Sequence, residues 1–291
     1  MKIVFHAGAH CTDDDRILKC LLRNREGFSQ RGIAVPGPGK YRELLKDTFK
    51  ALDSGPPSEG ARDVLIDAIL DDEVAERMIL SSEHFFGSAR FALDQGQFYP
   101  DAPDRVAKLH ELFDQDQIEL YMAIRNPASF LPAVLQKAPD RRVSETLGQI
   151  DPRSLLWSDL FQRVRDVVPS VKITVWCNED LPLIWGEVVR RLAGLPLDER
   201  IAGGFDLLSE IMSKEGMQRF RVYLHQNPEM TEVQRRRVIM AFLDKYAIED
   251  EIVEELDLPG WNDALVEEMT AIYEADIDAI ADIPGVRVIL P

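Results

Sequence analysis

The sequence predicts an α/β protein: a parallel β-sheet flanked by helices, with a helical C-terminal region. Three observations carry that reading. Short runs of β-branched, aromatic and aliphatic residues alternate with longer stretches whose apolar residues recur at helical spacing, the pattern of a βαβ chain. The short runs are apolar almost throughout, as strands covered on both faces must be. The first of them, Ile3 to Phe5, leads through the small residues Ala7, Gly8 and Ala9 into a helix start. That is the layout of a loop that cradles a phosphate at a helix N-terminus.

The elements follow in order. Ile17, Leu18, Leu21, Leu22 and Phe28 fall at helical spacing and predict a helix over residues 13–31, ended by Gly32. Ile33 to Val35 make a short extended piece before the loop Pro36-Gly37-Pro38-Gly39. Helices are predicted over 41–52 and 61–75, with Ser54-Gly55-Pro56-Pro57 as the break. A strand over 78–82 ends in hydroxyls, and a helix over 103–114 has Pro103 at its start. The strand over 118–124 stops at Arg125-Asn126-Pro127. A helix over 154–168, a strand over 171–176 and a helix over 183–192, ended by Gly194, follow. After Gly203-Gly204 the pattern is helical to about residue 282, and Val286 to Leu290 return as a last short strand. A sheet of four or five strands results. The chain reads as one domain over 1–291, with 201–283 as an acidic helical subregion. Residues 244–282 hold 14 acids and one base. They read as the solvated face of amphipathic helices, with a surface for a protein partner as the alternative.

Composition narrows the function. The chain has 291 residues, 45% hydrophobic and 29% charged, ordinary for a globular protein. The net charge of −17, from 51 acids and 34 bases, repels nucleic acid and anionic membranes, so neither is an expected partner. An anionic ligand needs a local basic pocket to override that field. No apolar run approaches the roughly 20 residues that span a bilayer, and the N-terminal strand is too short for a signal-peptide core. Cys11, Cys20 and Cys177 are an odd, sparse set that suits a reducing cytoplasm. No Cys-x-x-Cys pair is present, and no metal is expected.

In an open parallel sheet ligands bind at the carboxyl ends of the strands. Three such ends carry polar groups: His6 to Asp15, Ser81-Ser82-Glu83-His84, and Arg125-Asn126-Pro127. With Trp176-Cys177-Asn178-Glu179-Asp180-Leu181 and Leu192-Ala193-Gly194-Leu195-Pro196, they lie in an order that resembles the P-loop sulfotransferase family across about the first 200 residues. That resemblance implies a P-loop nucleotide fold. It also implies sulfuryl transfer from 3′-phosphoadenosine 5′-phosphosulfate (PAPS) to a hydroxyl or amine of a small molecule or glycan. It puts Gly8, Ala9, His10, Cys11 and Thr12 on the 5′-phosphosulfate, through backbone amides and the Thr12 hydroxyl. It puts Arg125 on the 3′-phosphate, with Ser129 nearby, and makes Glu83 or His84 the base that takes the acceptor proton.

The residues also depart from the family pattern. Cys11 stands where a phosphate-gripping lysine is expected, Asp13, Asp14 and Asp15 stand where small or hydroxyl residues are expected, and Ala133 takes the place of a serine. A lost lysine removes a charge-assisted contact of roughly 1.5–3 kcal/mol. A carboxylate about 4 Å from a phosphate costs roughly 4 kcal/mol at an effective dielectric near 20. The donor site is therefore degenerate, and a non-catalytic binding or scaffold protein on the same fold is the alternative function. A cationic or neutral ligand in the same cleft is a third. The three aspartates have a plain structural role open to them, capping the free N–H groups of the helix start. A metal site built from them is disfavoured, since consecutive helical positions diverge. Cys11 is expected to be an inert thiol and His6 and His10 to bond to backbone. Glu83 is either a structural carboxylate or a base, and Arg125 either holds an anion or pairs with an acid.

Overall fold

The computed structural model describes residues 1–138, 145, 147–252, 258 and 260–291; residues 253–257 of the predicted helical run lie outside these. Six strands form one sheet: β1 (Lys2–His6), β2 (Ile33–Ala34), β3 (Arg77–Ser81), β6 (Gln117–Ile124), β7 (Lys172–Cys177) and β8 (Val286–Ile289). Their order is β2-β3-β1-β6-β7-β8, and every pairing is parallel. A two-stranded hairpin, β4 (Leu93–Asp94) and β5 (Gln97–Phe98), stands apart. The architecture is consistent with a Rossmann-like or P-loop α/β fold. The sheet has one strand more than the upper sequence count. Its outer strands β2 and β8 are only two and four residues long, too short to carry much hydrophobic signal.

Side-chain alternation divides the core between two faces. Ile3, Phe5, Met78, Leu80, Leu120 and Met122 point to one face and Val4, Ile79, Tyr121 and Ala123 to the other. Helices α3 (Arg42–Leu52), α4 (Ala61–Leu70), α5 (Ala102–Leu112), α6 (Pro127–Lys137) and α7 (Trp157–Val167) cover the first face. Helices α1 (Arg16–Arg23), α2 (Arg25–Ser29) and α8 (Leu181–Ala193) cover the second. Two-sided cover explains why Ile3, Val4 and Phe5 are all buried in succession.

Two predicted helices are shorter than their periodicity suggested, for local reasons. The 13–31 helix starts only at Arg16, because Asp14 and Asp15 adopt φ of 45° and 62°. It breaks at Asn24, whose Nδ2 donates to the Cys20 and Ala202 carbonyls at 2.8 and 2.9 Å while its Oδ1 accepts from the Ala202 amide. An asparagine that bonds the backbone in this way competes with the helix ladder. The 61–75 helix stops at Leu70, with Asp71 and Asp72 left-handed.

The C-terminal region divides in two. Helix α12 (Asp263–Ala281) packs Met269, Tyr273 and Ile280 into the first-face core. Helices α9 (Asp206–Ile211), α10 (Lys214–Gln226) and α11 (Glu232–Tyr246) build a small core of their own around Leu208, Met212, Met217, Phe220 and Ile239. The acidic run is not wholly a solvated face. Asp276 is buried, and its carboxylate accepts from the Trp157 and Ser158 amides at 2.6 and 3.2 Å, capping α7. Among the described residues no helix is long and apolar enough to cross a membrane.

Candidate functional site

Strands β3, β1 and β6 are neighbours, and His6 lies in register with Ser81 on one side and Tyr121 on the other. The three polar strand ends therefore meet at one edge. The edge is also where the topology switches. From β1 the chain crosses to β2 and β3 on one side, and later to β6, β7 and β8 on the other. That point is the expected crevice of a doubly wound sheet.

The loop after β1 is held by protein partners at several points. The Ala7 and Ala9 amides donate to the Tyr121 and Ala123 carbonyls at 2.9 and 3.0 Å, prolonging the strand ladder. The His10 amide donates to the Tyr99 hydroxyl at 3.0 Å, and the Thr12 hydroxyl donates to the Ala9 carbonyl at 2.7 Å. Gly8 sits at φ +90°, where an added Cβ would stand 3.3 Å from the Glu83 Cα, so only glycine lets the two loops approach.

The three aspartates go three ways. Asp13 turns inward and accepts from the Ile17 amide at 3.0 Å, satisfying a donor at the start of α1. Burial holds its carboxyl above the usual range, against the opposing effects of His6 and that N–H bond. Asp15 makes a two-pronged ion pair with Arg42 at 2.5 and 3.0 Å, which holds its carboxyl below the usual range. Arg42 also donates to the Ser81 carbonyl at 3.0 Å, tying the loop to the end of β3. Asp14 faces outward, 3.6 Å from Arg16 and 3.9 Å from Lys137.

His6 and His10, four residues apart, have separate surroundings, and side chains rather than the expected backbone groups are their main partners. His6 is fully buried, with Nδ1 2.9 Å from the Ser81 hydroxyl, its ring stacked on Trp176, and a buried Nε2 that has no partner. Burial keeps it neutral by lowering its pKa. His10 sits in a chain of polar contacts. The Tyr99 hydroxyl accepts from the His10 amide at 3.0 Å and lies 2.8 Å from His10 Nδ1. His10 Nε2 lies 3.2 Å from His84 Nδ1, and His84 Nε2 lies 3.8 Å from the Glu83 carboxylate. Desolvation, aided by the nearby His84 and Lys137 charges, drives the His10 pKa down to about 3.

Glu83 is ion-paired through both oxygens to Lys137 at 2.8 and 2.9 Å. Cys11 is partly buried, and burial pushes its thiol up, away from nucleophilic use. Arg125 and Ser129 are brought together: Nε donates to the Ser129 hydroxyl at 3.0 Å and Nη1 to the Cys11 carbonyl at 2.6 Å. The adjoining Asn126 caps α6, donates its amide to Glu179 at 2.7 Å and bonds Thr270 of α12 at 2.8 Å. The strand ends thus gather every predicted site residue at one edge. Sequence reasoning missed Arg42, Tyr99 and Lys137, whose positions carry no local motif.

Beside this edge lies a cavity of about 600 Å³ between α3 and residues 82–91, closed below by the start of α5. Five bases and three acids line it, with Phe49, Phe85 and Phe91 among them, and His84 stands in its wall. A second cavity of about 650 Å³ lies away from the strand ends, among residues 190–205 and 224–235, with four acids, three bases and His225 in its lining. Compared with known proteins, the chain matches no family model, no curated protein and no solved structure.

Proposed function

We propose that the chain is a small-molecule-binding protein on a sulfotransferase-like sheet, with the donor end of its cleft filled by its own side chains. The observation that carries this reading is the Asp13 carboxylate, seated on the Ile17 amide where a donor phosphate would meet the helix. A phosphate about 4 Å from that carboxylate loses roughly 4 kcal/mol, about three powers of ten in affinity. The His10 amide and the Thr12 hydroxyl, which the resemblance assigns to the donor, are spent on Tyr99 and Ala9. On this reading the loop residues do not fit the 5′-phosphosulfate of PAPS. The candidate bases are engaged as well: Lys137 pairs with both Glu83 oxygens, and His84 Nδ1 lies 3.2 Å from His10 Nε2. On this reading the protein works in the cytoplasm with three free thiols, and its partner is a small molecule rather than a protein.

One observation favours the second reading, a PAPS-dependent sulfotransferase. Arg125 and Ser129 are assembled 3.0 Å apart, as a 3′-phosphate site requires. A thermal-shift titration with adenosine 3′,5′-bisphosphate at low salt separates the two. The binding-protein reading expects no shift at millimolar ligand. A saturable rise, about 2.7 kcal/mol of stabilisation at a hundredfold excess over Kd, overturns it and calls for an acceptor screen at saturating PAPS.

A further inference from the structure

The cavity between α3 and residues 82–91 brings bases and aromatic rings together beside the strand ends. On a chain of net charge −17 its wall carries more bases than acids. Arg90 lies 4.5 Å above the Phe91 ring, and Arg105 lies 5.0 Å above Phe49 while donating to the Phe85 carbonyl at 3.0 Å. Among the described residues neither guanidinium has a carboxylate within ion-pair distance. Lys46 on the rim is shared with Glu43 alone, through a contact that water screens on both sides. His84, with Nδ1 3.2 Å from His10 Nε2, stands in the same wall. Cations, an imidazole and apolar rings therefore meet in one concave site, the arrangement of a pocket that orients a ligand by a few polar groups.

We infer that this cavity binds an aromatic anion. The flat body lies against Phe49 and Phe85, and the negative group faces Lys46, Arg90 and Arg105, with His84 beside it. Guanidinium groups stacked on aromatic faces are preset for a planar anion, and little side-chain entropy is left to lose on binding. This inference rests on the reading that the ligand side of the cleft, not its donor end, is in use.

Isothermal titration calorimetry at about 0.15 M salt, where exposed charges are screened beyond about 8 Å, tests it on the full chain with three probes of one shape. These are 2-naphthyl phosphate, 2-naphthol and 2-naphthylmethylammonium. The expected result is saturable binding of the phosphate at one site, at least roughly tenfold weaker binding of the naphthol, and none of the cation. Lys46 and Arg90 are exposed, so the double variant Lys46→Ala, Arg90→Ala keeps the fold and is expected to weaken phosphate binding at least roughly tenfold. Arg219→Ala, in a separate cavity of about 520 Å³ shared with Tyr223, Phe242, Lys245 and Tyr246, is expected to leave it unchanged, and weakened binding in that variant overturns the inference. No saturable binding of 2-naphthyl phosphate, equal binding of all three probes, or an unaltered affinity in the double variant overturns the inference. Adenosine 3′,5′-bisphosphate is titrated separately. Its binding to wild type and double variant alike overturns the closed-donor reading alone.

Discussion

Replacing Asp13 tests how the loop after β1 is closed. Its carboxylate accepts from the Ile17 amide at 3.0 Å, and Ile17 is buried, so no water replaces the bond when it is lost. Truncating a capping acceptor to alanine costs roughly 0.5–2 kcal/mol, and a buried donor left without a partner costs about 1–3 kcal/mol. Asp13→Ala is thus expected to lose about 1–2 kcal/mol. Asp13→Asn keeps a neutral acceptor of the same shape and is expected to stay within about 0.5 kcal/mol of wild type at low pH. The pH dependence adds a sign. Burial raises the carboxyl pKa in the fold, so stability from the protonated form is full below the unfolded value and is lost as pH rises through the folded one. The asparagine does not titrate, so the comparison moves in its favour from about pH 3.5 to pH 7. Urea unfolding of the three proteins at both pH values, with midpoints compared at constant m, reads the effect. Alanine as stable as asparagine, or asparagine losing ground as pH rises, would refute the argument that Asp13 closes the helix end.

Other outcomes follow from the same structure. The His10 pKa is depressed to about 3, so the unfolded chain binds more protons between there and the ordinary value of 6.5, and wild type loses stability as pH falls through that window. His10→Gln is expected to flatten that acid limb in part, with the remainder due to His6, whose pKa burial also lowers; an unchanged slope counts against a neutral His10. Burial pushes the Cys20 and Cys177 thiols up to about 12 and raises Cys11, so a thiol reagent at pH 7.5 is expected to find no fast-reacting cysteine in the native protein and three in denaturant. Any rapidly labelled native thiol would contradict this. At Gly216 an added Cβ would stand 2.4 Å from the Tyr246 Cβ, so Gly216→Ala is expected to destabilise the α9–α11 cluster by about 1–3 kcal/mol without changing 2-naphthyl phosphate binding.

The sheet was legible because its inner strands are buried on both faces, which forces unbroken apolar runs such as Ile3 to Phe5 and residues 118–124. The parallel order and the meeting of three polar strand ends follow from that pattern and from the placement of helices between strands. Helix ends were less legible where a side chain bonds the backbone or a residue turns left-handed, as at Asn24, Asp14 and Asp71. In the site, Glu83, His84 and Arg125 were legible because they follow strand ends, and Ser129 because it lies one helical turn beyond Arg125. Tyr99, Arg42 and Lys137 were not, since each comes from a segment distant in sequence and acquires its role only through packing. Asp276 shows the same limit: inside an acidic run it reads as solvated, yet it caps a helix more than a hundred residues away.

The closed loop and the cavity are not independent, because Arg42 belongs to both. Its guanidinium holds Asp15 in two hydrogen bonds and the Ser81 carbonyl in others, and the same side chain stands in the cavity wall. An arginine so engaged is positioned by the loop it closes, and its charge is largely answered by Asp15. The cavity's unanswered charge therefore rests on Arg90 and Arg105, on the side away from the loop. His84 joins the two regions from the other direction, through His10 of the loop to Tyr99 beneath it. Of the loop carboxylates, Asp15 thus helps to build the wall of the neighbouring cavity by fixing Arg42, while Asp13 stabilises the start of α1. One departure from a phosphate-binding sequence, Asp15, is in this sense tied to the cavity beside it.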